Sequence, residues 1–536
     1  MQTVSFISLY DDFCLDLRYA SSMLKFDGHR SYITLFKGIQ YVAANNPISV
    51  QQVQDGAYYG SRVCASTTEV NLLLENLKKQ APDLVVVSFA SVSHGLAQFL
   101  TGKIKSELNK PVLWCGADST CSPADNIEHV DMLCIGETEY PIRYVVDAME
   151  KGEDPSLVHS IWSNVDGVIK RNQLMAVETR LDNLPFPDFD IADKTVICDD
   201  EIIQALYPPH SNLQTNLIIM AGRGCLVTCP YCGTAHDDIL YQKNQSVRLR
   251  SVDKVIEEIR YRLQTWPGSV ERIEFHDVEF PLDREWITEF ASRYATEIAL
   301  PFFGFAKPNQ CDAEAYKILR DSGMFAMILR VPSGGERVLR EIFKQEYSRE
   351  CILNTAHNIH NAGIKLLCEF VKNNPLENEA EKLETLDLIC DLPHGFSVID
   401  NIPLTFYKNC QLWRKSSDSG AISRFASTDG EHAMQAVEDV DHLFWDCLYK
   451  LAQFDDFDKD CLRNFVNDGY MREKPAILEE IIINLYKTVY LAGNPMADKD
   501  NYVQQLRWRI MHSENLSRTP VVKNIRKLAN ILGVNK

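Results

Sequence analysis

Basic charge is in short supply. Across 536 residues, 55 Lys and Arg face 74 Asp and Glu, and the net charge is −19. An acidic surface is repelled by phosphates, so a nucleic-acid partner is not expected. No apolar run reaches the ~20 residues that cross a bilayer, so no membrane partner is expected either. The first residues, MQTVSFISLYDDFCLDL, carry no basic stretch and meet charge early, so no signal peptide is expected there. Most of the 16 cysteines, from Cys14 to Cys461, stand singly and lack the spacing of a disulfide framework. Scattered thiols in a chain of this size point to a reduced, cytoplasmic protein. At 45% hydrophobic and 24% charged residues the composition is that of a globular chain, and its length suits about two to four domains.

One run breaks the scatter: Arg223-Gly224-Cys225-Leu226-Val227-Thr228-Cys229-Pro230-Tyr231-Cys232. Cys225, Cys229 and Cys232 follow a Cys-x3-Cys-x2-Cys spacing. Such short steps aim three sulfurs at one small object. A [4Fe–4S] cluster held by three thiolates fits, with one iron left open for chemistry. Zinc is the alternative, since it takes three Cys and one His, and His236 lies four residues after Cys232. Zinc pairs, however, usually sit on knuckles well apart in sequence.

Residues 1–165 alternate between strand and helix patterns. Strands are expected at Val4–Leu9, Ser31–Phe36, Asp83–Ser88, Pro111–Trp114 and Met132–Ile135, and helices at Leu17–Phe26, Leu72–Gln80 and Gly95–Leu108. This alternation predicts an α/β domain with a Rossmann-like, doubly wound parallel sheet. Ligands of such sheets sit at the C-terminal strand ends. Here those ends carry Ser88 and Ser91, then Gly116 and Ala117, then Gly136 and Glu137. Residues 166–215, with Pro185 and Pro187, read as an extended linker. From 216 to 414, six strand–helix units follow, with strand ends at the cysteine run, at His276-Asp277-Val278-Glu279, at Pro332-Ser333-Gly334 and at Asn373-Asn374-Pro375. Residues 415–432 read as a linker or mobile loop. The remainder of 415–536 reads as a small helical domain ending in a basic tail. His236 and His276 are candidates for proton handling or for ordinary structural roles.

The cysteine run, with Tyr231 before its third Cys, resembles the radical S-adenosylmethionine (SAM) motif. Pro82-Asp83 leading to Ser88, Gly116-Ala117-Asp118-Ser119-Thr120 and Gly136-Glu137-Thr138-Glu139 together resemble the cobalamin-binding domain that precedes many radical SAM cores. Arg248-Leu249-Arg250-Ser251 and Phe275-His276-Asp277-Val278-Glu279-Phe280 resemble segments of the core, and the resemblance covers about residues 1–410. It implies a cobalamin-binding domain followed by a partial (β/α)6 barrel. It also implies a [4Fe–4S] cluster on Cys225, Cys229 and Cys232, SAM near Tyr231, Asp277, Glu279 and Ser333, and cobalamin near Ser88, Ser91, Gly116, Ala117, Gly136 and Glu137. The activity implied is that of a methyltransferase using SAM twice, once to recharge methylcobalamin and once as a radical source. A carbon of a small biosynthetic intermediate or peptide would be the acceptor, and an external donor such as flavodoxin or ferredoxin would supply electrons. A cobalamin enzyme that rearranges or cyclises without methylating is the first alternative. A cobalamin- or metal-binding regulator without turnover is the second.

The chain departs from the family pattern in places. Val278 replaces an Asp, Pro332 a Glu, and Asn373 and Leu376 two glycines. The Asp-x-His-x-x-Gly motif that ligates cobalt is missing. Asp27-Gly28-His29 has Tyr32 where the glycine should stand, so no His ligand to cobalt is expected, from His29 or from His94.

Overall fold

The apolar runs of the N-terminal region become the centre of a sheet. The computed structural model describes residues 1–38, 52–54, 57–59, 63–208, 215–225, 227, 229–232, 247–372, 374–408, 410–427, 433–436, 440–454 and 457–490. His236, Asn373 and the basic tail lie outside these residues. Contacts divide the chain into two units, Met1–Ile273 with Thr405–Gln435, and Glu274–Leu404 with Ala436–Lys536.

In the first unit, β1 (Thr3–Leu9), β2 (Arg30–Phe36), β3 (Leu84–Phe89), β4 (Val112–Cys115) and β5 (Met132–Cys134) pair in parallel in the order β5-β4-β3-β1-β2. The winding reverses between β1 and β3, and that reversal is where such sheets bind ligands. Val4 and Phe6 of β1 pack against Leu17 and Leu24 of helix α1 (Leu15–Phe26). Ile7 and Leu9 enter the cluster on the other face, with Leu73 and Leu77 of α2 (Thr67–Gln80) and Leu96 and Leu100 of α3 (His94–Leu108). Successive side chains of a strand point to opposite faces, so covering both faces demands unbroken apolar runs such as Leu84-Val85-Val86-Val87.

The span 166–215 is not the simple linker that its prolines suggest. β6 (Ile161–Val165) and β7 (Val168–Arg171) form an antiparallel hairpin on β5. β8 (Lys194–Cys198) pairs in parallel with β2, and β9 (Glu201–Ile203) folds back on β8. These outlying strands are only three to five residues long, and all but Ile161–Val165 carry lysine, arginine or glutamate. They therefore leave no apolar period to read.

β10 (Asn216–Ile219) leads to a short antiparallel ribbon of β11 (Gly222–Arg223) and β12 (Arg248–Leu249). β13 (Arg272–Phe275) follows, and the division between units falls inside it. In the second unit, β14 (Phe302–Ala306), β15 (Met324–Val331), β16 (Lys365–Lys372) and β17 (Ser397–Pro403) pair in parallel. Helices Ala313–Asp321, Arg349–Asn361 and Glu379–Cys390 alternate with them, started by the side chains of Asp312, Ser348 and Asn378. Further on, helices run over Val440–Leu451, Lys459–Asn467, Gly469–Glu473 and Ala476–Tyr490.

The expected boundaries at 216 and 415 do not coincide with the units. The first unit takes in 216–273 and Thr405–Gln435. Within 415–432, helix Gln411–Asp418 and strand Phe425–Ser427 replace part of the expected loop.

Candidate functional site

The cysteine loop grows out of the β11–β12 ribbon. Gly222 lies so close to the facing strand that a Cβ there would stand 2.8 Å from the Arg248 carbonyl oxygen. Gly224, at φ +98°, then turns the chain into the loop in a conformation that favours glycine. Cys225 is buried, Cys229 and Cys232 are partly exposed, and none of the three is in a disulfide. The Cys232 N–H donates to the Cys229 carbonyl at 3.1 Å, closing a turn with Pro230 at its first corner. The Val227 N–H donates to Cys225 Sγ at 3.4 Å, and hydrogen bonds to sulfur tune iron–sulfur clusters. Leu412 reaches the same turn, its N–H donating to the Pro230 carbonyl at 3.0 Å. Tyr231 is partly exposed beside the last thiol. Three unbridged thiols in one loop are a donor set suited to an iron–sulfur cluster.

The stems of that loop are held by charge. Arg223 Nη2 lies 2.5 Å from Glu139 Oε1, and Arg223 Nη1 lies 3.6 Å from Glu137 Oε1. Arg248 donates to Glu137, and also to the Glu178 carbonyl at 2.6 Å. Arg250 is buried against Glu258 at 2.5 Å. Glu137, expected beside cobalamin, therefore has its carboxylate engaged by arginines of the cysteine-loop stems.

At the reversal point of the first sheet, Ser88 donates to Asp16 Oδ2 at 3.1 Å. Burial, reinforced by Asp11, pushes the Asp16 carboxyl up to about 6. Ser91 donates to Asp118 Oδ1 at 2.5 Å, and His94 Nδ1 and Asn126 Nδ2 meet the other oxygen at 3.1 and 3.0 Å. Gly116, at φ +95°, has no room for a Cβ because Phe89 O and Ser88 Oγ would lie 3.0 Å away. Its neighbour β3 therefore demands the glycine, rather than a bulky ligand. Ala117 opens a short helix, Ala117–Cys121. Gly136, at φ +81°, donates its N–H to Thr120 Oγ1 at 3.0 Å. The hydroxyls of Ser93, Ser119, Ser122 and Thr138, beyond the ends of β3, β4 and β5, are buried without a hydrogen-bond partner. Buried orphans are uncommon, and a cluster of them at strand ends fits a ligand rich in amides. His29 sits elsewhere, at the end of α1, where its Nδ1 accepts the Gln2 N–H at 3.1 Å.

In the second unit, Asp277 is buried and Glu279 faces Lys307 Nζ at 3.7 Å. Glu279 Oε1 has no hydrogen-bond partner. His276 Nδ1 bonds to Glu274 Oε1 at 2.7 Å. Burial alone would lower its affinity for a proton, but Glu274 outweighs burial and raises it. Arg330 lies 4.1 Å over the Phe305 ring and 3.0 Å from Glu369. Ser333 donates to Glu377 at 2.6 Å and receives the Gly335 N–H at 3.0 Å. Arg330 and Glu377 fall in the segments 330–334 and 370–377 that resemble the family's core, whereas Lys307 and Glu369 belong to no motif, and their one sequence signal is charge at or near the end of an apolar strand.

These features define a class. Residues 219–389 match the model of the Radical SAM superfamily, so the chain carries a radical SAM domain that includes the cysteine loop. Over 343 residues it is 22% identical to an uncharacterised methyltransferase of Pyrococcus horikoshii, spanning 63% of this chain and 70% of that protein. It is 23% identical over 299 residues to a cytidylyl-2-hydroxyethylphosphonate methyltransferase of Streptomyces wedmorensis, spanning 50% of this chain and 53% of that one. In fold it is similar to TsrM of Kitasatospora setae, a radical S-adenosylmethionine methyltransferase solved with cobalamin and a [4Fe–4S] cluster. The TM-score is 0.59 at 12% identity, over 96% of this chain and 99% of that one. OxsB, a cobalamin-dependent S-adenosylmethionine radical enzyme solved with aqua-cobalamin, gives a TM-score of 0.64 at 15% identity, over 100% of this chain and 75% of OxsB.

Proposed function

We propose that this protein is a cobalamin-dependent radical SAM methyltransferase acting on a carbon of a small biosynthetic molecule or peptide. The observation that carries the reading is that Cys225, Cys229 and Cys232 stand in one loop of the radical SAM domain, at the spacing of the radical SAM motif. Bound on them, a [4Fe–4S] cluster supplies the electron for SAM cleavage, and cobalamin at the reversal point of the first sheet supplies a transferable methyl group.

The protein's own groups have distinct tasks in this reading. Asp277 and Glu279, on the strand ends of a partial (β/α)6 barrel, accept hydrogen bonds from the amino group of SAM. Ser333, held by Glu377, shapes the neighbouring turn. Ser93, Ser119, Ser122 and Thr138 would donate to the amides of cobalamin, while Ser88 and Ser91, whose hydroxyls are given to Asp16 and Asp118, would line the site with Gly116, Ala117 and Gly136. His276, kept protonatable by Glu274, holds a proton at its ring. An external donor such as flavodoxin or ferredoxin delivers the electron. A second reading, radical chemistry without methyl transfer, is favoured by the fold likeness to OxsB, which is described without a methyl transfer.

Anaerobic purification with iron, sulfide and cobalt analysis tests the cofactors. About four irons and one cobalamin per chain are expected. Iron-free protein with stoichiometric zinc overturns the reading. In turnover, S-adenosylhomocysteine should form together with 5′-deoxyadenosine, and 5′-deoxyadenosine alone selects the second reading.

A further inference from the structure

We infer that Glu139, assisted by Glu137, positions the cysteine loop and sets its electrostatics, acting through Arg223 and Arg248. The inference rests on the reading that Cys225, Cys229 and Cys232 hold an iron–sulfur cluster.

The argument begins with the register of the ribbon. Arg223 stands directly opposite Arg248 across the antiparallel pair. Like charges facing each other across a ladder destabilise it, and here the two side chains are only 16% and 7% exposed. Water screens them poorly, so the ribbon needs carboxylates brought from elsewhere. Both come from one turn of the first sheet, the Gly136–Glu139 segment that follows β5. Glu139 is 3% exposed and lies 2.5 Å from Arg223, while Glu137 holds Arg248 and approaches Arg223 at 3.6 Å. The Tyr19 ring lies beneath the Arg223 guanidinium at 5.1 Å. Glu139 is also the first residue of helix Glu139–Lys151, where the helix end favours negative charge.

A buried ion pair is a poor way to gain stability, because apolar residues of the same volume often do as well or better. What a charged pair adds is direction and a fixed local charge. Arg223 is two residues from Cys225, so its orientation governs how the chain enters the loop, and its charge is carried on the stem of that loop. Net charge near a cluster is one of the levers on its reduction potential. Neutralising Glu139 leaves Arg223 with only Glu137, 3.6 Å away and shared with Arg248, so more of its buried positive charge is unbalanced and the more negative, reduced cluster is favoured.

The test uses the full-length protein, reconstituted anaerobically with iron and sulfide, as wild type, Glu139→Gln, Glu139→Asp and the double variant Glu139→Gln/Arg223→Gln. The readouts are iron per chain, the EPR-monitored midpoint potential and the EPR signal with and without SAM. Glu139→Gln is expected to keep its iron and to move to a more positive potential, by about tenfold in the ratio of reduced to oxidised cluster, or ~59 mV for one electron. Glu139→Asp and the double variant should move back toward wild type, the first by restoring the charge and the second by removing its partner. Loss of iron from Glu139→Gln, with far-UV circular dichroism unchanged and iron retained in Glu139→Asp, also supports positioning. Identical potentials and EPR signals in wild type and Glu139→Gln overturn the inference, whatever happens to thermal stability, and leave the cluster reading intact. A wild type that takes up no iron overturns the cluster reading and this inference with it.

Discussion

Asp188 is a carboxylate almost wholly removed from water, and two lysines reach it. Lys194 Nζ lies 2.8 Å away and Lys25 Nζ 2.9 Å, while Ser21 donates at 2.5 Å. Burial by itself would raise its pKa, but the lysines outweigh burial and hold it at about 2. A carboxylate that binds protons less readily when folded stabilises the fold above its unfolded pKa of about 4. That contribution is lost as the pH falls from about 4 to about 2. Asp16 has the opposite sign. Its folded pKa of about 6 means that stability declines as the pH rises from about 4 to 6 and it must give up its proton. Asp188→Asn strands the buried Lys194, so we expect a loss of about 3–5 kcal/mol at pH 7 in urea unfolding. The same variant should flatten the acid limb of stability below pH 4.

At the scale of elements, the β11–β12 ribbon is the narrowest part of the machinery. Gly222→Ala places a Cβ against the Arg248 carbonyl. The strands must part, at a cost of about 1–3 kcal/mol, and reconstituted iron per chain should fall severalfold while far-UV circular dichroism barely changes. Elements of this kind divide sharply in legibility. Leu84–Phe89 and Met324–Val331 announce themselves because strands buried on both faces are apolar throughout. Val168–Arg171 does not, since an edge strand can carry the charges that its exposure permits, and Lys194–Cys198 does not because its lysine is buried by pairing with Asp188. The cysteine triad is legible because its chemistry is compressed into eight residues. The ion pairs of Glu137 are hidden for the opposite reason. Its partners, Arg223 and Arg248, stand 86 and 111 residues downstream, and no spacing rule connects them.

At the scale of the whole molecule, two units with separate cores imply unfolding in more than one step. Cobalamin should raise the transition of the first unit selectively, by about 2.7 kcal/mol at a free concentration one hundred times its Kd. Differential scanning calorimetry of apo protein with and without hydroxocobalamin reads this directly, and equal shifts of every transition, or none, count against a site in the first sheet. The division of the chain also explains what sequence order conceals. The radical SAM match begins at residue 219, yet residues 216–273 share a unit with the N-terminal sheet. Sequence segments are linear, whereas the Arg–Glu pairs that fasten the cysteine loop are not.

The facing arginines of the ribbon bear on how the protein is made. Glu137 and Glu139 leave the ribosome about 90 residues ahead of Cys225, so the sheet that presents them can fold while the loop is still being synthesised. When the ribbon emerges, its carboxylate partners are already in place. Iron delivery then meets a loop with its stems clamped, and a nascent chain whose first sheet has failed to fold offers the assembly machinery no site to fill.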